Sequence, residues 1–207
     1  MVMQAQKQRY YSPEEYLALE VNAKERHIYM DGEIIEMPGG TPNHNQIAGN
    51  LYASLNFALK RQPFQGFITD QRLWVPNLRS FTYPDVMVIA QPIELMEGRK
   101  DTLTNPLIIA EILSNSTESY DRAQKFAAYR SISSLQEYVL IDQYAMHVEH
   151  YAKAESRKWI FCEYDGEDSI LTLASVVFQI SLADLYDKVD FSSEEPQAVY
   201  ELQEDEA

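Results

Sequence analysis

A chain of 207 residues, 45% hydrophobic and 24% charged, can bury a core of its own and is too evenly mixed to be disordered or fibrous. Its net charge of −15 argues against the broad basic surface by which proteins usually hold a long nucleic-acid duplex. The single cysteine, Cys162, excludes an internal disulfide or a thiolate metal cluster, and no run of roughly 18 apolar residues or signal-type h-region is seen, so a cytoplasmic protein without membrane contact is expected.

Ser12-Pro13-Glu14-Glu15 predicts a helix start, with Ser12 as cap, Pro13 in the first turn and Glu15 closing a capping box, and the helix should end near Glu20. Asp31-Gly32 between short apolar runs predicts a two-residue hairpin from Arg26 to Met37. Thr41-Pro42 opens a second helix whose Ile47, Leu51, Leu55, Ala58 and Leu59 form one stripe up to about Arg61. Phe67 to Pro76 and Tyr83 to Ala90 read as paired strands, and Leu107 to Leu113 as a buried central strand. Glu118 to Ile132 has helical spacing, with Tyr120, Ala123, Phe126 and Ala127 toward the core and Glu118, Arg122, Lys125 and Tyr129 on another face. Glu137 to Asp142 is a further strand. Met146 to Ala152, Lys158 to Tyr164 and Ile170 to Phe178 suggest an antiparallel ending, with Leu182 to Val189 as a closing helix. The order predicts an α/β fold with a mixed central β-sheet flanked by helices, in one domain over residues 1–191. Residues 192–207, with Glu194, Glu195, Glu201, Glu204, Asp205 and Glu206, are expected to form an acidic, disordered C-terminal tail.

Strand alternation sets Asp85 with Met87 and Ile89, and Glu111 with Ile109 and Leu113, so each strand carries one acid in apolar surroundings. Such acids need a partner. Two on neighbouring strands can hold Mg²⁺, and two at strand ends can equally be paired with arginine or backbone amides; the spacing leaves both readings open. Lys125, four residues after Asp121, is either a surface ion pair or a charge donor near a phosphate. His44, in register with Ile47 and Leu51, is either a half-buried capping residue or a supporting, substrate-binding residue of the site.

The segments Tyr83-Pro84-Asp85-Val86, Ile109-Ala110-Glu111-Ile112-Leu113-Ser114, Tyr120-Asp121-Arg122, Lys125-Phe126 with Tyr129-Arg130, and Glu137 to Asp142 occur in that order. With Asp31-Gly32-Glu33, Thr41-Pro42-Asn43-His44 and Asp70-Gln71-Arg72, they resemble the Uma-two family of restriction-endonuclease-like proteins, abundant in cyanobacteria, over roughly residues 10–190. The resemblance implies the fold of the PD-(D/E)xK nuclease superfamily. It implies Asp85 and Glu111 as metal-binding and catalytic acids, Mg²⁺ or Mn²⁺ as cofactor, nucleic acid (DNA first) as partner, and room for a homodimer. Two positions depart from the pattern. Leu113 stands where the superfamily's lysine would fall, which makes Lys125 the relocated equivalent, and Ile28 stands where relatives often carry an acid. The implied activity is a metal-dependent endonuclease; the alternatives are a catalytically degenerate binding or regulatory module and a hydrolase of small phosphorylated metabolites.

Overall fold

The computed structural model describes residues 9–192 apart from 38 and 116, so the acidic tail expected at 192–207 lies, beyond Ser192, outside the described residues. Helix α1 (Pro13–Glu20) starts as its sequence predicts: the Glu15 N–H donates to Ser12 Oγ, and the Ser12 N–H donates to the Glu15 carboxylate. Strands β1 (His27–Met30) and β2 (Glu33–Glu36) turn on Asp31 and Gly32, whose φ values of 39° and 105° are those a tight hairpin requires. Helix α2 (Pro42–Ala58) is capped by Thr41 and buries Ile47, Leu51 and Leu55.

Six strands follow: β3 (Phe64–Ile68), β4 (Arg72–Val75), β5 (Ser80–Thr82), β6 (Val86–Ala90), β7 (Thr102–Leu103) and β8 (Pro106–Leu113). The expected strands at 67–76 and 83–90 are corrected here, because the chain passes between two sheets within the first run and at the start of the second. Thr69 takes φ 49° and breaks β3 from β4, and Pro84, which has no N–H for a ladder, marks the passage from β5 to β6. β3 pairs with β6, whereas β4 pairs with β5.

The next helical stretch consists of α3 (Glu118–Tyr120), a π-helical turn (Asp121–Lys125) and α4 (Phe126–Tyr129). It ends before Ile132, and its buried face differs from the expected one: Asp121, Lys125, Ala128 and Tyr129 point inward, and Ala123 and Ala127 face solvent. The π turn shifts the helical phase, and alanines bury little area, so the polar residues that find partners inside decide which side faces the sheet. Strands β9 (Glu137–Asp142), β10 (His147–Glu155), β11 (Lys158–Asp165), β12 (Ile170–Leu173) and β13 (Phe178–Ser181) lead to α5 (Leu182–Leu185). The run expected as one strand at 170–178 is therefore a separate hairpin, β12–β13, and the closing helix is a single turn.

The large sheet has the order β11-β10-β9-β8-β6-β3, parallel between β8 and β9 and antiparallel elsewhere; the smaller has the order β2-β1-β5-β4-β7. On one face of the large sheet, Val86, Val88, Ile108, Ala110 and Ile112 pack against α2, the β12–β13 hairpin and α5. On the other, Met87, Ile89, Ile109 and Leu113 meet Tyr129 of α4 and Leu73 and Val75 of the smaller sheet. Burial on both faces explains the near-continuous apolar run of β8. Tyr16, Tyr29 and Phe81 fasten α1 to the smaller sheet. This is the mixed α/β architecture expected. Among the described residues no helix is long and apolar enough to cross a membrane.

Candidate active site

The register of β6 against β8 sets Val86 opposite Ala110 and Met87 opposite Ile109. Continued by one residue, it sets Asp85 opposite Glu111, with Cβ atoms about 5 Å apart on one face. Asp85 lies where the chain leaves the smaller sheet for the larger one. Its Oδ2 accepts a 2.8 Å hydrogen bond from the Ile112 N–H and stands 3.2 Å from His44 Nε2. His44 is held by the first turn of α2: its N–H donates to Thr41 Oγ1, the Thr41 hydroxyl donates to Gln143 Oε1 (2.6 Å), and Gln143 Nε2 donates to the Leu113 carbonyl (2.8 Å). That chain ties the start of α2 to the end of β8.

Glu111, 2% exposed, accepts a 2.8 Å bond from the Tyr129 hydroxyl, which itself lies 3.1 Å from Thr82 Oγ1. Lys125 Nζ is 3.1 Å from Glu111 Oε2 and 2.7 Å from Asp121 Oδ1. The Tyr120 ring lies 5.7 Å from that ammonium, and its hydroxyl reaches the Met30 sulfur of β1. Lys125 is thus no surface pair: the pairing with Asp121 exists, but it is buried and shared with Glu111.

Burial pushes the Glu111 carboxyl up to about 8, with the neighbouring Asp85 and Asp121 adding to the rise and Lys125 opposing it. Burial works against the charge of Lys125, yet Glu111, with Tyr129, Asp121 and Asp85 around it, holds the amine well above its ordinary range. Asp85 goes the other way: against the effect of burial, the His44 bond, the Lys125 charge and the Ile112 N–H hold it below the usual carboxylate range. His44 is raised, because its bond to Asp85 outweighs desolvation. Three carboxyls around one ammonium form a cluster short of positive charge.

All four residues singled out in the sequence, His44, Asp85, Glu111 and Lys125, meet here. Leu113 is buried in the apolar face beside Ile109 and fills core space. Ile28 pairs with Ile35 on the hairpin and shares a strand face with Met30, the residue that touches Tyr120. Sequence reasoning missed Tyr129 and Asp121 as members of the cluster. The signal was present, since Asp121, Lys125 and Tyr129 recur every four residues. It also passed over Gly40, where a Cβ would stand 2.9 Å from His44 Nδ1.

Asp85 and Glu111 offer only oxygen, the donor of hard cations such as Mg²⁺ and Mn²⁺, and Asp85 Oδ1 carries no hydrogen bond among the described residues. No group of three or more His, Cys, Asp or Glu side chains arranged to hold a metal occurs among the described residues. The all-oxygen donor set of Asp85 and Glu111 fits a hard cation such as Mg²⁺, which these two carboxylates would hold, and does not fit a closed zinc site.

A family model described as "Uma2: Putative restriction endonuclease" matches residues 13–183. The chain is similar to the uncharacterized protein sll1609 of Synechocystis sp. (strain ATCC 27184 / PCC 6803 / Kazusa), with 42% identity over 155 residues, 75% of this chain and 88% of that protein. It is 33% identical to slr1290 of the same organism over 177 residues, 84% of this chain and 90% of that protein. Among solved structures, a "putative nuclease belonging to DUF820" from Anabaena variabilis has the same fold, with a TM-score of 0.71 over 86% of this chain and 98% of the other at 21% identity. With the family model spanning both sheets and every residue of the cluster, the chain belongs to the Uma2 family of restriction-endonuclease-like proteins.

Proposed function

We propose that the protein is a Mg²⁺- or Mn²⁺-dependent nuclease that hydrolyses phosphodiester bonds of DNA, with Asp85 and Glu111 holding the cation and Lys125 acting at the phosphate. The observation that carries this reading is the meeting of two opposed acids with a buried ammonium from a separate helix. When bound, the divalent cation supplies Lewis-acid activation of water and charge neutralisation at the phosphate. The chain's own residues prepare that site. The Ile112 N–H and His44 fix the orientation of Asp85, and Tyr129 fixes that of Glu111. Asp121 and Tyr120 keep Lys125 charged and aimed, so that its ammonium is a preorganised donor for the negative charge that develops as the ester breaks.

One observation favours a second reading, a nuclease-fold module that binds or regulates without cleaving. Lys125 already closes ion pairs with both Glu111 and Asp121, an arrangement that satisfies the acids without a metal. Incubation with supercoiled, linear and single-stranded DNA and with RNA, in Mg²⁺, Mn²⁺ or chelator, separates the two. Metal-dependent cleavage of DNA is expected. A melting temperature unmoved by either metal, together with no cleavage, would refute the nuclease reading.

A further inference from the structure

Strand β11 ends the large sheet, and its outer edge pairs with no strand among the described residues. It is eight residues long, Lys-Trp-Ile-Phe-Cys-Glu-Tyr-Asp, with Ile160 51% and Phe161 46% exposed and Cys162 also at the surface. Long apolar edges are templates for further strand pairing, and proteins that stay monomeric usually blunt them with charge, proline or a covering element. Its three charges, Lys158, Glu163 and Asp165, leave the run from Trp159 to Cys162 uncharged.

A second copy is the occupant that this sequence suits. When a strand pairs antiparallel with its own copy, the twofold axis stands perpendicular to the sheet and each face maps onto itself, so only residues of like parity can oppose. An axis through Ile160 opposes Ile160 to itself and Trp159 to the partner's Phe161, twice over by symmetry. The exposed Arg157, in the two-residue turn before the strand, stands at the end of the strand beside which the partner's Glu163, 55% exposed, would lie. Aromatic and opposite-charge cross-strand pairs are the stabilising ones. An axis through Phe161 opposes that ring to itself but sets Trp159 against Glu163, and one through Cys162 sets Trp159 against Asp165 and Phe161 against Glu163, so of the three the Ile160 axis alone gives two Trp–Phe pairs. The Trp159–Phe161 pairs also extend an aromatic row already present, since the Phe161 ring lies tilted against Tyr151 at 4.9 Å and Tyr151 against Phe126 at 4.5 Å. We propose that β11 forms a symmetric homodimer by antiparallel pairing about Ile160, joining two large sheets into one continuous sheet. The pairing is independent of the catalytic reading.

Sedimentation equilibrium of the full chain should show a dimer, and Phe161→Lys should raise its dissociation constant by about a hundredfold or more, because two anchors are lost per dimer. Lys158→Cys should yield a disulfide-linked dimer on mild oxidation, through the native Cys162 opposite it, and the link should vanish when Cys162→Ser is added. This arm stands even if Phe161→Lys folds poorly. A parent protein monomeric at concentrations on the order of 100 µM would overturn the proposal, as would a Phe161→Lys protein that associates like the parent. Cross-linking by the parent's Cys162 alone, or failure of Ile160→Cys in the Cys162→Ser background to cross-link to its own copy, would overturn the Ile160 axis.

Discussion

Replacing Lys125 with Met keeps most of the side-chain volume and removes the one ammonium that stands 3.1 Å from Glu111 and 2.7 Å from Asp121. Removing one partner of a buried ion pair costs roughly 3–5 kcal/mol, because the other charge is left uncompensated. Glu111, raised to about 8, is already largely protonated at pH 7 and has little charge there to be left uncompensated, so a loss at the low end of that range, near 3 kcal/mol, is expected at pH 7. For a chain of this size that is a fall in melting temperature of roughly 6–12 °C. The sign of the pH dependence follows from the same shift. A carboxyl whose folded pKa lies above its unfolded value contributes stability that is fully present below the ordinary value of 4.5 and is lost as pH rises through about 8. Without Lys125 the Glu111 pKa rises further, the decline continues past pH 8, and the gap between variant and parent should widen toward pH 10. Thermal melts from pH 6 to 10, with and without Mg²⁺, read all of this. Mg²⁺ should stabilise the variant at least as much as the parent, while DNA cleavage falls by a factor on the order of 10². A loss below about 1 kcal/mol with no widening at high pH would refute the electrostatic reasoning, and cleavage at the parental rate would remove Lys125 from the reaction.

Asp85→Asn and Glu111→Gln should each weaken Mg²⁺ or Mn²⁺ affinity more than roughly tenfold, about 1.4 kcal/mol, while the fold is retained; titration calorimetry showing parental affinity in both variants would end the metal assignment. Because Glu111 binds a cation only when ionised and its carboxyl is raised to about 8, metal affinity in the parent should climb with pH up to that value and then level. Calorimetry in buffers of different ionisation enthalpy should record a released proton below it. Gly40→Ala would put a Cβ 2.9 Å from His44 Nδ1, so the imidazole should turn from Asp85, with an altered His44 NMR signal and a drop in cleavage on the order of tenfold. Ending the chain at Phe191 removes six acidic residues and should leave the melting temperature nearly unchanged. DNA binding should improve at low salt, where repulsion reaches over a Debye length of about 10 Å or more.

The elements that local chemistry specifies could be read from the sequence: the capping box of Ser12 and Glu15, the positive-φ turn at Asp31 and Gly32, the stripe of α2 and the apolar β8. Non-local pairing could not. Whether the run from Phe67 to Pro76 is one strand or two depends on which partners β3 and β4 find, and these lie in different sheets. In the site, Asp85 and Glu111 were visible as acids out of place in apolar strands. That they face each other follows only from the β6–β8 register, which no local pattern encodes. Asp121, Lys125 and Tyr129 share a stripe at helical spacing, but Ala123, Phe126 and Ala127 marked the other side as the core, and only the structure shows the polar stripe turned to the sheet.

That π turn makes the position of the ammonium a matter of rotation. Each residue of an α-helix advances it by about 100°, so one inserted or deleted residue between Ser114 and Lys125 would swing the side chain from the sheet to solvent without touching either carboxylate. A lysine on the β8 strand, by contrast, would be locked to its acids by the pleat. With its lysine on a separate and locally irregular helix, this chain can have its two carboxylates and its ammonium altered independently, the carboxylates by substitution and the ammonium by a shift in length.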